Sequence, residues 1–511
     1  MNKIKLAVLA LCYYMATTIP AFAGGLLTNT NQNIAFNRNM ARDGAIGIDG
    51  VYSNPAGVAF LTKGLHLSFN IQNVYQTRTI MSGMTVPSFK GTPYYQPFKL
   101  YDGDVNGIKQ FKGKASVPVL PTFQIALNYD NIGFQVGFFE SGGGGQCTFN
   151  RGLGSFERQI ALIPALLYSQ GIQTPQPGYS VDSYIKGQQY VFGLQFGATY
   201  KFNEHLAVYG GLRFNYAFNR YQGNITNIAA EINGTQENLY SYFGDQANTY
   251  SQMAFYYKMR SSEMTDPTQK ANYEALSQKY TQGAQKMGNT QKQFADKYLT
   301  CNQYGWGITP IIGVDYKIGK WNFGTRLEFT THMNIENDTK RDDTGLFTDG
   351  VNTPNDLPGI WTIGAQYSIL PNVRVMGSYH YYFDKDAKMA NDKQKLLGGN
   401  TKEFLCGAEW DITKNLLISA GCQHTQYNFG DGSYLTDMSF VTSSNSYGFG
   451  AKFKVLKNAS LNIAYFFTDY GHKKKEYDQT IAGGGQEIKV QNSDDFTRTN
   501  KVLGVGLDID L

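Results

Sequence analysis

The sequence predicts an all-β transmembrane barrel of 14 antiparallel strands with an N-terminal plug inside its lumen. Three observations lead there. Apolar and polar residues alternate in segments of roughly 10–15 residues along most of the chain. The 511 residues include 36 Tyr, 33 Phe and 56 Gly, and only 17% are charged, against about 25% in typical soluble domains. No stretch after residue 23 supplies the ~20 consecutive apolar residues that a spanning helix needs. A mean hydropathy of −0.36 excludes a bundle of apolar helices. Tyr and Phe spread along the whole chain exclude disorder. A net charge of +5 on 57.0 kDa is too mild for a polyanionic partner, so no nucleic acid is expected.

Residues 1–23 read as a secretory signal peptide. Lys3 and Lys5 precede an apolar run from Leu6 to about Ala16, and Ala21-Phe22-Ala23 forms a small-x-small cleavage pattern before Gly24. Removal leaves 511 − 23 = 488 residues with four cysteines, in an oxidising compartment.

Residues 63–511 are expected to form the barrel. Tyr190, Phe192, Leu194, Phe196, Ala198, Tyr200 and Phe202 fall on one face, against Gln195, Gly197, Thr199 and Lys201 on the other. Residues 323–333 put Phe323, Leu327, Phe329 and Met333 opposite Gly324, Arg326, Glu328, Thr330 and His332. Counted this way, strands are expected near 65–77, 121–129, 132–140, 188–202, 206–221, 306–318 and 321–335. Seven more follow near 358–369, 373–384, 403–411, 416–428, 444–455, 459–471 and 498–511. Short turns such as Asp130-Asn131 and Gly319-Lys320 alternate with long connections such as 78–120, 141–187 and 222–305. An even strand number with short turns on one rim and long loops on the other is the layout of an outer-membrane barrel. Charge on a lipid face would cost about 2–4 kcal/mol per Lys or Arg at mid-depth. Accordingly Arg213, Arg326, Arg374, Lys452 and Lys454 share the polar register. A soluble sandwich also alternates, but its outer face must be polar.

Residues 24–62 do not alternate and are rich in small and polar residues, so they are expected to fold inward as a plug. Their run Asp43-Gly44-Ala45 through Val51-Tyr52-Ser53-Asn54-Pro55-Ala56-Gly57-Val58-Ala59 resembles the N-terminal signature of the FadL family of outer-membrane transporters for long-chain fatty acids and aromatic hydrocarbons. That resemblance implies a 14-stranded barrel with a hatch in which Asn54, Pro55 and Ala56 form the gating motif. It further implies capture of a hydrophobic ligand by outer loops and sideways release through a kink in the third strand, near 132–140. Gly137, Gly142 and Gly143 are the candidates for that lateral opening, since glycines tolerate bulges and broken pairing.

Other candidates come from the residues themselves. Ile160, Leu162, Ile163, Leu166 and Leu167 form an apolar run in a long outer loop, expected either as an exposed capture patch or as a loop helix packed on other loops. For a ligand bearing a carboxylate, Arg213, Arg326 and Arg374 are the candidate contacts, with lumen salt bridges to Glu328, Asp315, Glu409 and Asp508 as the other reading. The loop 222–305 reads as helical from about 236 to 298. Cys147 and Cys301 lie in outer loops where they can pair, and Cys406 and Cys422 lie on adjacent strands, either facing each other or free. No spacing suits a metal and no cofactor is expected.

The function expected is passive outer-membrane passage of hydrophobic small molecules by a monomer surrounded by outer-membrane lipid. The alternatives are a general diffusion porin or surface binding protein and, remotely, a barrel phospholipase using the inward-register His332 and His380. No enzyme is expected.

Overall fold

Hydrocarbon offers no hydrogen-bond partners, so a spanning sheet has to close on itself. The computed structural model describes residues 28–169, 171, 174–483 and 486–511; the expected signal peptide lies outside them. The wall starts with β1 (Gly64–Thr85), β2 (Ile108–Asn128), β3 (Ile132–Phe149), β4 (Tyr179–Lys201) and β5 (Leu206–Ile232). Next come β6 (Thr235–Asn238), β7 (Lys297–Ile318), β8 (Trp321–Glu328), β9 (Asn334–Asp342) and β10 (Asn352–Pro354). Then follow β11 (Ile360–Leu370), β12 (Val373–Tyr382), β13 (Lys402–Thr413) and β14 (Leu416–Gln426). Last are β15 (Ser444–Leu456), β16 (Ala459–Tyr470), β17 (Lys473–Gly483) and β18 (Gln486–Asp510). All pairings are antiparallel, and β1 pairs with both β2 and β18, which closes the cylinder. β8 and β9 form one stave, as do β10 and β11, while β6 and β17 are additions at the rim, leaving 14 staves.

The alternation read in the sequence becomes two faces. Phe69, Ile71, Leu212, Phe214, Trp306 and Phe449 stand exposed on the outside, where only lipid suits them, and Gln72, Gln124, Gln195, Asn215 and Asp315 are buried within. At the short-turn end the strands end where alternation predicts. At the other end they run further: β1 reaches Thr85, β2 begins at Ile108 and β5 reaches Ile232.

One expected strand is broken. Between the pairs Ile311↔Glu328 and Trp306↔Asn334, four residues of β7 (307–310) lie opposite five (329–333) of the neighbouring stave. The extra residue is a bulge, and it exchanges the faces. Arg326 and Glu328 are buried before it; Thr331, Met333 and Ile335 are buried after it. His332, expected to point inward, therefore points out, 77% exposed, and meets Asp356 at 2.9 Å. Met333, expected outside, is buried.

Helices lie inside and above the cylinder. The plug contains α1 (Ile34–Arg38). The β3–β4 connection carries α2 (Gly154–Ala161) and α3 (Ile163–Ser169). Between β6 and β7 stands an antiparallel pair, α4 (Leu239–Glu263) and α5 (Pro267–Gln293), close to the helical span expected. The apolar run of α2–α3 follows the packed-helix reading and corrects the exposed-patch one. Ile160, Leu162, Ile163, Leu166 and Leu167 are all at most 4% exposed, packed against Val86, Tyr179, Ile232 and Val490. They are the core of the loop cluster, not an open patch. Cys147 and Cys301 are unbonded and sit in separate apolar clusters. Cys406 and Cys422 are directly paired across β13 and β14, with their sulfurs 3.0 Å apart.

Candidate functional site

The plug fills the short-turn half of the lumen and is fastened to the wall by buried polar contacts. Asn33 caps α1 by accepting from the Ala35 amide at 2.7 Å. Arg42 donates to both oxygens of Asp49 at 2.7 and 3.0 Å and to Glu409 of β13 at 2.8 Å. Arg38 donates to Ser419 and Asn462. Asp43 meets His380 at 2.8 Å, and His380 meets Glu403 at 2.9 Å on its other ring nitrogen. Burial would raise the Asp43 carboxyl, but His380, followed by Arg326, holds it down at about 2.

Asn54, Pro55 and Ala56 lie where plug and wall meet. Asn54 donates to Asp315 of β7 at 2.5 Å and to the Ala45 carbonyl at 3.2 Å, and accepts from the Gly57 amide. The Pro55 carbonyl accepts from Gln135 of β3 at 2.7 Å, and Ala56 packs with Tyr209 and Ile311. Backbone approach is close here: a Cβ on Gly44 would stand 2.6 Å from the Ala365 backbone, and one on Gly324 would strike the Asp43 carbonyl.

Arg213, Arg326 and Arg374 belong to this fastening. Arg213 forks onto Glu328 at 2.7 and 3.0 Å, and Arg326 lies 3.4 Å from the same carboxylate. Both stack over the Tyr52 ring of the plug, at 5.1 and 4.7 Å. Arg374 pairs with Glu409 and Asp411. Each already has an acid, so the salt-bridge reading describes them.

Beside the plug the wall is interrupted. The β2–β3 ladder stops at Phe123↔Phe138 and resumes at Ala115↔Cys147, leaving 116–122 and 139–146 unpaired with each other. Two sequence features cause this. Pro118 and Pro121 remove backbone donors from β2, and β3 carries Gly142 to Gly145, with bulges between Glu140 and Gly142 and between Gly143 and Gly145. Gly143 has φ +113, which favours glycine. Gly142 and Gly143 thus lie in the interruption, whereas Gly137 sits below it in an intact ladder, opposite Gln124 and Gln195.

The leading segment of the plug seats against this gap from inside. Thr28 bridges to Gly142, and the Asn29 amide donates to the Ser141 carbonyl at 3.2 Å. Gln32 straps the two edges: its side chain donates to the Glu140 carbonyl of β3, and its carbonyl accepts from Thr122 of β2, both at 2.7 Å.

Three cavities follow one another from the loop cluster to that gap. The upper one, about 70 Å³, lies between Phe156 and Ile160 of α2, Ile225 of β5 and Leu346. The middle one, about 60 Å³, shares Ile185 and Met438 with it and is walled by Phe149, Leu153 and Phe440. The lower one, about 150 Å³, shares Gly145 and Val441 with the middle one and ends on Asn29, Phe36 and Glu140. The loop lid above is held by buried ion pairs, Lys109 to Glu157 at 2.5 Å and Arg158 to Asp494 at 2.6 Å.

Reasoning from sequence missed Pro118, Pro121, Arg78 and Arg498 on this path. The proline pair at the level of the Gly run was a visible signal. Arg78 required β1 to be extended beyond the alternating core, and Arg498, at the start of the expected last strand, has no partner in sequence to mark it.

No protein-family model matches the sequence, and no curated protein matches it significantly. Solved structures do. A FadL homologue of Pseudomonas aeruginosa aligns over 96% of this chain and 100% of its own, with a TM-score of 0.57 at 11% identity. A deltaS2S3 mutant of TodX, a monoaromatic hydrocarbon channel, aligns over 95% and 100% with a TM-score of 0.50 at 12% identity. The toluene transporter TodX of P. putida aligns over 91% and 94% with a TM-score of 0.47 at 12% identity. The chain has the FadL-family fold, a 14-stranded barrel.

Proposed function

We propose that the protein is a passive outer-membrane conduit for hydrophobic small molecules, long-chain fatty acids among them. Its ligand enters through the loop cluster and leaves sideways between β2 and β3. One observation carries this reading: the chained cavities lead to the interrupted ladder, while the straight axial path is filled by the plug. Residues 28–32 act as the gate. They occupy the inner side of the gap through hydrogen bonds between uncharged groups, and their withdrawal would open the lower cavity to the wall. A ligand that exits into hydrocarbon needs no aqueous path, so the plug can stay seated while transport proceeds. The same physics makes detergent-extracted protein the natural place to find co-purified lipid or hydrocarbon.

The gate is testable by locking it. Thr28→Cys and Gly142→Cys, in a background with the four native cysteines replaced, place two thiols at bridged positions. With the bond formed, uptake of a fluorescent long-chain fatty acid by cells should fall at least about tenfold and recover on reduction. Unchanged uptake with the bond demonstrably closed would remove both the gate and the lateral exit.

A further inference from the structure

We infer that Arg78 and Arg498 form an oxyanion clamp between the middle and lower cavities, which takes the carboxylate or phosphate head of an amphiphile and couples its capture to the β2–β3 gap. This deepens the conduit reading and rests on it.

The two residues are directly paired across β1 and β18. Like charges at opposed positions repel, so the arrangement needs compensation. Among the described residues no carboxylate pairs with either arginine. Arg498 is 6% exposed and donates to the Gln76 side chain at 3.1 Å and the Phe440 carbonyl at 3.4 Å, lying over the Tyr470 ring at 5.1 Å. Arg78 donates to the Gly144 carbonyl at 3.4 Å. Both Nε atoms are buried without a partner, as is Oδ1 of the neighbouring Asn500. The acids that line the lower cavity are committed elsewhere: Glu403 accepts from His380, Tyr382, Gln423 and Thr425, and Glu140 pairs with Asn29.

The contrast with the plug is chemical. There every arginine has its acid; here two guanidiniums meet only neutral acceptors. Buried cations of this kind are stable when an anion arrives with them. Two guanidinium forks suit an oxyanion that bridges them. Arg498 lines the lower cavity and Arg78 the middle one, so a head held between them leaves the tail among Phe149, Leu153 and Phe440. At about 60 Å³ the middle cavity is tight, and a tail entering it displaces the Met438–Val441 loop. The coupling follows from one bond. An anion competes with the Gly144 carbonyl for Arg78, which frees the bulged segment of β3 facing the gap.

The test uses the full-length protein in detergent with three probes of one chain length: hexadecanoate, hexadecyl phosphate and hexadecanol. In the unmodified protein the two anions should each bind roughly tenfold or more tighter than the alcohol, about 1.4 kcal/mol. Arg78→Gln with Arg498→Gln should erase that preference, read as the ratio of anion to hexadecanol affinity within the variant. Arg78→Lys with Arg498→Lys should restore part of it. Which anion binds tighter distinguishes a fatty acid from a phospholipid-type head. Equal affinity for alcohol and anions in the unmodified protein, or a preference retained in the double Gln variant, would overturn the clamp while the conduit stands. Failure of all three probes to bind would instead overturn the conduit reading itself. Heat-modifiable gel mobility checks that the variants still fold; should the Gln pair misfold, the comparison among probes in the unmodified protein still decides.

Discussion

The two halves of the lumen are built on opposite principles. Around the plug, charge is matched with acid and base at every turn: Arg42 with Asp49 and Glu409, Arg213 with Glu328, Asp43 with His380. Above it, small cavities lie beneath a lid that has ion pairs of its own, and Arg78 stands opposite Arg498 with no acid paired to either among the described residues. A network in which each cation has its acid is costly to disturb, because breaking one buried partner strands the other. Cations that lack an acid leave room for one to arrive. The lower half is therefore built to stay and the upper half to receive.

Removing the lower half altogether gives the largest expected effect. Deleting residues 24–60 should make cells or liposomes leaky to small polar solutes, measured by liposome swelling; an unchanged rate would mean that the plug does not close the barrel. A smaller change targets one fastening. Glu409→Gln leaves Arg42, Arg38 and Arg374 without their shared acid, a loss of about 3–5 kcal/mol. It should raise protease cleavage within residues 28–62, whereas a plug held mainly by shape would stay resistant. In the upper half, Leu166→Ala opens the loop core at a cost of about 2–5 kcal/mol. Hydrogen exchange should rise in α2 and α3 while the plug stays protected, and a rise in both halves would show that they are one cooperative unit. The smallest effect is that of acid. Asp43 titrates at about 2 in the fold, below its ordinary 3.8, so its stabilising contribution is complete above the ordinary value and fades only as pH falls toward 2. The plug should remain as protease-resistant at pH 5 as at pH 7, and a loss between them would assign its seating to another group.

How much of this was legible differs between the same two halves. The wall within lipid obeys a period of two because its surroundings are hydrocarbon on one side and polar plug on the other, and there Tyr190 to Phe202 or Phe449 to Val455 read directly. The Asn54-Pro55-Ala56 turn was legible as a motif, and its wall partners Asp315 and Gln135 were not, since a single chain carries no record of which strand a turn touches. Beyond the lipid the code dissolves. β1 continues through Ile80 and Met84 with apolar residues pointing inward under the loops, so its expected end fell at 77 and Arg78 was left outside the strand. The single extra residue at 329–333 reversed the faces of the stave and sent His332 outward; that segment contains neither Gly nor Pro, and the only marks of the break are Gly307 and Pro310 on the facing strand, whose pairing a single sequence does not show. The run around Leu162 to Leu167 was visible, but apolar character alone does not say whether a loop displays a surface or buries it.

The central claim is that a ligand leaves through the wall beside the plug. Photo-crosslinking in membranes with a diazirine-bearing long-chain fatty acid tests it most directly, with labelled residues located by mass spectrometry. The account predicts labels on Val117, Val119 and Leu120 of β2 and on the Gly142–Gly145 segment of β3. Labels concentrated instead on Leu61 and its neighbours, where the plug leads out to the short-turn rim, would show an axial exit and contradict it.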